Sequence, residues 1–254
     1  MPLIYNNANL NNIYVGNNRI SYVYIGNNLI YKHSSDDIPP IIDNTSIVTD
    51  GLIANLCEFD ANNRKMIDTV GDYDLTISDT STTINNNNLV VANISRNQGS
   101  ITLPMTSLTQ FTFSYVVESS WSNSQPTQII SGLNTTTFYM WLMTNKANIW
   151  YKNTRILGDG DYTTAGVDNI RFIDVTIDVA NGSYYFYING ELKVSYTGLS
   201  LQQATENTLY LNHTGGYTSI GDFTLYSFKV YNRCLNQDEI QKNIDYEKTR
   251  LGWT

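Results

Sequence analysis

The chain has 254 residues, of which 41% are hydrophobic, enough apolar material for one large packed domain or two smaller ones. Charged residues make up only 15%, whereas Asn accounts for about one residue in eight, so neutral side chains carry most of the polarity. A formal net charge of −8 without a basic patch argues against nucleic acid and acidic membranes as partners, and no apolar run approaches a membrane span.

Residues 11–32 contain two copies of a ten-residue phrase, because YVGNNRI at 14–20 returns as YIGNNLI at 24–30. Gly-Asn-Asn tolerates positive φ and separates runs of β-branched and aromatic residues, which is typical of hairpin turns. The pattern predicts one β-meander with three short strands, near 11–15, 19–25 and 29–32. Such a ribbon buries too little surface to be stable alone, so it is predicted to rest on its own domain, a neighbouring subunit or a larger assembly.

Residues 33–46, HSSDDIPPIIDNTS, hold two of the five prolines and no clear periodicity, which predicts a linker. After it, strands and turns alternate without a break, and this pattern favours a two-sheet antiparallel sandwich. Strands are predicted near residues 50–59, 73–78, 88–94, 99–103, 110–118, 127–132, 137–143, 147–151, 170–179, 183–189, 192–196, 207–212 and 222–231.

The clearest strand pattern is FIDVTIDV, residues 172–179, in which apolar and polar residues alternate and predict one apolar face on a sheet. Asn181-Gly182 and Asn189-Gly190 then predict two tight hairpin turns. Near the C-terminus Asn236 can cap a helix, with Glu239 three residues later as in a capping box. A short amphipathic helix is therefore predicted to close the domain.

Two stretches, FIDVTIDVANGSYYFYINGELKVSYTG at 172–198 and TLYLNHTGGYTSIGDFTLYSFKVYNRCLNQDEIQKNIDYEK at 208–248, resemble the concanavalin A-like, laminin-G-like sandwich domains. In that family a hairpin carrying Asn-Gly precedes a strand that runs into a Tyr-Asn-x-x-Leu segment and a capped helix. The resemblance implies an all-β, antiparallel jelly-roll sandwich over residues 47–254, with a short C-terminal helix and a small N-terminal β-meander before it.

The opening ribbon resembles the repeated Tyr-Val-Gly segments at the start of bacteriophage virion proteins such as fibre and head-decoration proteins. The resemblance implies a docking or oligomerisation ribbon at residues 1–33, followed by a linker at 34–46. The residues assigned to that ribbon contact are Tyr14, Ile20, Tyr22, Tyr24 and Ile30. It implies a non-enzymatic phage structural protein, displayed at the virion surface, homo-oligomeric and in contact with other virion proteins.

The start MPLIYNNANL lacks the basic opening and apolar core of a secretory signal, which predicts synthesis in a cytosol, here that of a bacterial host. The alternative function is a carbohydrate-binding adhesin, in which the same sandwich recognises glycans on the host surface. Exposed aromatic rings and neutral amides are typical of sugar sites, and they single out Trp121, Asn212 and Tyr217. Trp141 and Trp150 fall within predicted strands, where core packing is favoured over ligand contact.

One short motif bears on whether the chain is an enzyme. Glucanases with this sandwich use a strand motif that resembles Glu-x-Asp-x-Glu. The only near match is Glu58, Asp60 and then Asn62, in which the acid/base position is lost. No catalytic residue is therefore assigned, and the chain is predicted not to be an enzyme.

No cofactor is predicted, although calcium is considered at GDGDY, where Asp159 and Asp161 lie in a turn. A solvated turn without metal is the favoured interpretation of these two carboxylates. Cys57 and Cys234 are the two cysteines, and a cytosolic origin favours two buried thiols over a disulfide.

Overall fold

A computed structural model describes residues 13–15, 18–20, 22–25, 28–32, 46–80, 82–85, 88–91, 99–119, 130–132, 138–143, 146–152, 154–157, 172–211 and 223–253, with the backbone alone up to residue 32. The chain divides into two compact units, Met1–Thr45 and Ser46–Thr254.

The first unit contains two antiparallel hairpins, one for each copy of the ten-residue phrase. Their strands are β1 (Ile13–Val15), β2 (Asn18–Ile20), β3 (Tyr22–Ile25) and β4 (Asn28–Lys32), with β1 paired to β2 and β3 paired to β4. The predicted strand near 19–25 is thus two strands, and two hairpins replace the predicted three-stranded meander. The reason is local, since each copy carries its own turn sequence and its own pair of strands.

The side chains of this first unit lie outside the described residues. That holds for all five positions assigned to docking or oligomerisation, namely Tyr14, Ile20, Tyr22, Tyr24 and Ile30. Their role stays a prediction.

The second unit is built from short antiparallel strands and one helix. Its described elements are β5 (Leu52–Asp60), β6 (Lys65–Asp68), β7 (Leu75–Ile77), β8 (Thr83–Ile84), β9 (Leu89–Val91), β10 (Gly99–Thr102), β11 (Gln110–Ser119), β12 (Ile130–Gly132), β13 (Phe138–Met143), β14 (Lys146–Tyr151), β15 (Thr154–Leu157), β16 (Phe172–Asp178), β17 (Ser183–Ile188), β18 (Glu191–Tyr196), β19 (Thr208–Leu211), β20 (Phe223–Tyr231) and α1 (Gln237–Leu251). Each strand predicted for this unit has its counterpart, whereas the short strands β6, β8 and β15 were not predicted.

The strands form a sandwich in which β5 is shared between the two layers. The hydrogen-bonded order is β12-β19-β10-β7-β6-β5-β20-β11-β16-β17-β18, with β13-β14-β15 as a separate sheet. One half of β20 pairs with β5, whereas the other half pairs with β9. Strand β5 therefore leaves β20 and continues into the second layer.

Alternating residues of β11 show how both faces of its layer become buried. Phe111, Phe113 and Tyr115 face the main core, where the Phe113 ring lies edge-on to Phe138 with centroids 4.9 Å apart. The opposite face is covered by α1 through a second apolar cluster that includes Val116, Phe172, Tyr187, Tyr231, Ile240 and Ile244. The polar residues of β16 lie on this covered face and are buried, which the alternation in the sequence did not predict.

Helix α1 begins and ends where the sequence predicts. The Asn236 side chain accepts the backbone N–H of Glu239, while the Glu239 carboxylate accepts the backbone N–H of Asn236, which completes the capping box. Gly252 ends the helix in the left-handed conformation at φ 68°. Within the described part of the chain, no helix is long and apolar enough to cross a membrane.

The two predicted hairpin turns differ. Asn189 and Gly190 form a two-residue turn with φ of 51° and 81°, as predicted. The other connection spans four residues, because Asp178 pairs with Ser183, and this replaces the predicted tight turn. The Asp178 carboxylate stabilises the longer connection by accepting the backbone N–H and side-chain amide of Asn181 at 2.9 and 2.7 Å.

Candidate functional site

The strand pairing defines two groups of neighbouring strand ends. In the first group, Phe223 pairs with both Ser119 and Val91, so the ends of β9, β11 and β20 are neighbours. In the second group, Leu211 pairs with both Gly99 and Ile130, so the ends of β10, β12 and β19 are neighbours.

Three segments, 92–98, 120–129 and 212–222, each join one group to the other. We call the two groups of strand ends together the connection end. Trp121 belongs to the second segment, and Asn212 and Tyr217 belong to the third. The strand ends that flank the segments of all three sugar-binding candidates are therefore paired with one another. Trp121, Asn212 and Tyr217 themselves lie outside the described residues.

The calcium candidates Asp159 and Asp161 also lie outside the described residues. Their segment ends at Phe172, which pairs with Val116 of β11. Among the residues that the structure describes, no group of three or more His, Cys, Asp or Glu side chains could hold a metal ion.

The glucanase-like pair is placed away from the core. Glu58 is exposed to solvent. Asp60 ends β5, and one of its oxygens accepts the backbone N–H groups of Asn62 and Asn63 at 2.9 and 3.0 Å. Its other oxygen accepts the side-chain amide of Asn63, and these hydrogen bonds lower the pKa of Asp60. Asp60 thus caps the turn that follows β5.

A buried polar layer lies between the sheet and α1, and the sequence analysis did not find it. It consists of Ser114, Asp174, Ser227, Lys229 and Glu247. One signal was present, because Glu247 falls on the apolar stripe of α1, seven residues after Ile240 and three after Ile244. A charged residue on such a stripe indicates a buried partner.

The partner of Glu247 is Lys229, and each side chain is only 1% exposed. The Lys229 ammonium donates to Glu247 Oε1 and to Ser227 Oγ, while Arg250 Nε donates to Glu247 Oε2 at 2.8 Å. Burial alone would raise the pKa of Glu247, but the charges of Lys229 and Arg250 hold it below its ordinary value. This group is therefore a structural ion pair that fixes α1 to β20.

Asp174 is the second acid of the layer and it has fewer partners. Ser114 Oγ donates to Asp174 Oδ1, whereas Asp174 Oδ2 has no hydrogen-bond partner among the described residues. Burial raises the pKa of Asp174 to about 7, despite the opposing effects of the Ser114 hydrogen bond and the Lys229 charge.

Asp68 differs from Asp174, because backbone N–H groups donate hydrogen bonds to both oxygens of its carboxylate. Asp68 Oδ1 accepts the N–H groups of Asn55 and Val70, and Oδ2 accepts those of Gly71 and Tyr73, over distances of 2.8–3.2 Å. The carboxylate thereby holds the loop between β6 and β7 against β5.

Both cysteines are free and half-buried. Burial raises the pKa of the Cys57 thiol and raises that of Cys234 to about 11. The two thiols are thus less buried than the sequence predicted. Trp150 is also half-buried, and the side chain of Trp141 lies outside the described residues.

Comparison with known proteins adds a family and a set of similar folds. A family described as the concanavalin A-like lectin/glucanases superfamily matches residues 95–241. No curated protein sequence matches the chain.

Solved structures resemble the sandwich at low sequence identity. Trypanosoma rangeli sialidase in complex with 2,3-difluorosialic acid has a TM-score of 0.59 at 14% identity, over 82% of this chain and 34% of the sialidase. The botulinum neurotoxin serotype D binding domain has a TM-score of 0.59 at 17% identity, over 79% of this chain and 52% of that domain. The botulinum neurotoxin DC binding domain in complex with SialylT has a TM-score of 0.58 at 15% identity, over 78% and 52%.

The chain therefore spans about a third of the sialidase and about half of the toxin domains it matches. At these identities the likeness shows a shared fold, common to enzymes and to binding domains. Because the family match covers more than half of its residues, the chain belongs to the concanavalin A-like lectin/glucanase superfamily.

Proposed function

We propose that the sandwich is a non-enzymatic carbohydrate-binding domain and that it binds glycans at the connection end. The observation that carries the proposal is the pairing of Phe223 with Ser119 and Val91, and of Leu211 with Gly99 and Ile130. This pairing draws together the ends of the segments that contain the three sugar-binding candidates.

Two further observations support the proposal. A toxin binding domain that shares this fold over about half of its length is known in complex with SialylT. In this chain Asp60 is engaged in capping a turn and Asn62 stands where a glucanase-like motif needs an acid.

A glycan array followed by calorimetry tests the proposal with the intact chain. Trp121→Ala is expected to weaken binding by about tenfold or more, because the ring face that stacks on the sugar is removed. Tyr196→Ala is the matched control, because Tyr196 is 42% exposed but lies far from the connection end. Through the pairing of β18, β17, β16 and β11 it is aligned with Phe111, at the opposite end of β11 from Ser119.

Tyr196→Ala is expected to leave glycan binding unchanged. Absence of glycan binding on the array, or an equal loss of glycan affinity in the two variants, would contradict the assignment. Release of sugar from a polysaccharide that stops in Glu58→Gln would show that the domain is an enzyme instead.

We further propose that residues 1–45 attach the sandwich to a phage particle as a surface fibre or decoration protein, in a homo-oligomer. The observation that favours this role is the first unit itself, in which each ten-residue copy forms one small hairpin. Hairpins of this size are marginal alone, so a partner surface would stabilise them. The glycan site and the attachment unit are compatible in one protein.

Removal of residues 1–45 is expected to leave a folded sandwich that no longer joins the particle or its oligomer, because Ser46–Thr254 holds its own core. Circular dichroism checks the fold, and sedimentation with and without particles checks the association. A truncated chain that cannot fold, or one that still associates, would refute the attachment role.

A further inference from the structure

Asp174 lies on the face of the sheet against which helix α1 packs. Ser114 of β11 pairs directly with Asp174 of β16 on one side and with Lys229 of β20 on the other. Asp174 in turn pairs with Tyr187 of β17. Directly opposed residues of antiparallel strands share a face, so these four side chains form one row on the side covered by α1.

The two acids on this side of the sheet, Asp174 and Glu247, are both buried but differ in their hydrogen bonds. Asp174 is 1% exposed and is held through one hydrogen bond, from Ser114 to Oδ1, while Oδ2 has no partner among the described residues. Glu247 is equally buried but accepts from Lys229, Ser227 and Arg250. Burying a carboxyl group that no cation contacts costs far more free energy when the group is ionised than when it is protonated.

Several titratable groups lie on the elements packed around Asp174. The charged ones are Lys229 of β20 with Glu247 and Arg250 of α1, and the pKa of Glu247 lies below its ordinary value. The remaining titratable groups are Cys57 of β5, Tyr187 of β17, Tyr231 of β20, Cys234 after β20 and Tyr246 of α1. Burial raises the pKa of each of these thiols and phenols, so they are neutral below about pH 8.

Helix α1 is what separates this row from water. Ile240 and Ile244 pack on the sheet together with Tyr187 and Tyr231, and the ion pair of Glu247 lies beside them. Undocking α1 would hydrate Asp174 while leaving the main core between the two layers closed. The cost of ionising Asp174 is therefore relieved by movement of the helix.

We propose that Asp174 is a proton-operated latch for α1: when it is protonated the helix stays docked, and its ionisation favours release of the helix. The burial of Asp174 determines how docking of the helix depends on pH. Because the docked state raises the pKa of Asp174 to about 7, docking is strongest near and below the ordinary pKa of an aspartate and weakens as the pH rises towards 7. The ion pair of Glu247 acts in the opposite direction, but only at more acidic pH.

Hydrogen exchange on the intact chain tests the latch. The opening equilibrium of the α1 amides, corrected for intrinsic exchange, is expected to rise at least about tenfold between about pH 5 and pH 7. The amides of β17, which pair on both sides, are expected to change far less. Asp174→Asn is expected to make the opening of α1 independent of pH in the same range.

Asp178→Asn is the matched control, because Asp178 lies on the same strand and its hydrogen bonds with Asn181 and Gln110 hold its pKa below the ordinary value despite some burial. This variant is expected to retain the pH dependence of the original chain. A carbon-13 titration of Asp174 in the unmodified protein is decisive even if a variant fails to fold. Titration of Asp174 near pH 4, or an opening equilibrium of α1 that does not change with pH, would overturn the proposal.

Discussion

Glu247→Leu is expected to lower the free energy of unfolding by about 3–5 kcal/mol near pH 7, one of the two largest effects of a single substitution that we predict for this chain. The change leaves the Lys229 ammonium buried with Ser227 as its remaining hydrogen-bond acceptor. An isolated buried charge cannot recover the hydration it has lost. Urea denaturation followed by tyrosine and tryptophan fluorescence measures the difference.

The matched variant removes both charges. Lys229→Met combined with Glu247→Leu is expected to recover most of the loss, since two apolar side chains of similar volume need no desolvation. Arg250 is partly exposed and can turn to water in that variant. A double variant as unstable as Glu247→Leu, or a single variant that loses less than about 1 kcal/mol, would show that the ion pair is not what fixes α1.

Asp68→Ala is expected to cost about 2–4 kcal/mol, because four backbone N–H groups lose a charged acceptor at once. Asp68→Asn is expected to be similarly destabilising, since its amide nitrogen is a donor and would face other donors. Denaturation gives the free energy, and faster hydrogen exchange at Val70, Gly71 and Tyr73 would locate the damage in the loop between β6 and β7.

Asp60→Ala serves as the control for Asp68. Asp60 also accepts three N–H groups in a turn, but it is only half-buried, so water can replace the carboxylate more easily than at the buried Asp68. Its removal is expected to change stability much less than removal of Asp68. Equal effects at the two positions would mean that burial of the acceptor does not decide the cost.

Local signals account for the parts of the fold that the sequence predicted. The capping box of Asn236 and Glu239 and the turn at Asn189-Gly190 depend on residues within a few positions of each other, and both form as predicted. Strand β6 was not predicted, because Lys65–Asp68 has four residues of which two are charged. It forms because it has strands on both sides, and because Asp68 holds the loop after it.

The polar layer could not be predicted, because its members come from distant parts of the chain. Ser114, Asp174 and Lys229 meet only when β11, β16 and β20 pair in a particular register. The alternation of β16 indicated a polar face, but not that a C-terminal helix would cover it. Trp121, Asn212 and Tyr217 were singled out by residue type and loop sequence, whereas the neighbouring positions of the strand ends that flank their segments follow from strand pairing.

A nuclear magnetic resonance titration of the intact chain tests whether the connection end is where a glycan binds. The protein is titrated with the best glycan from the array while backbone amide shifts are followed. The account predicts that the largest changes among the described residues occur at Val91, Gly99, Ser119, Leu211 and Phe223, with little change in β18 and α1. Shifts centred on β18, on α1 or on the exposed Glu58 would contradict it.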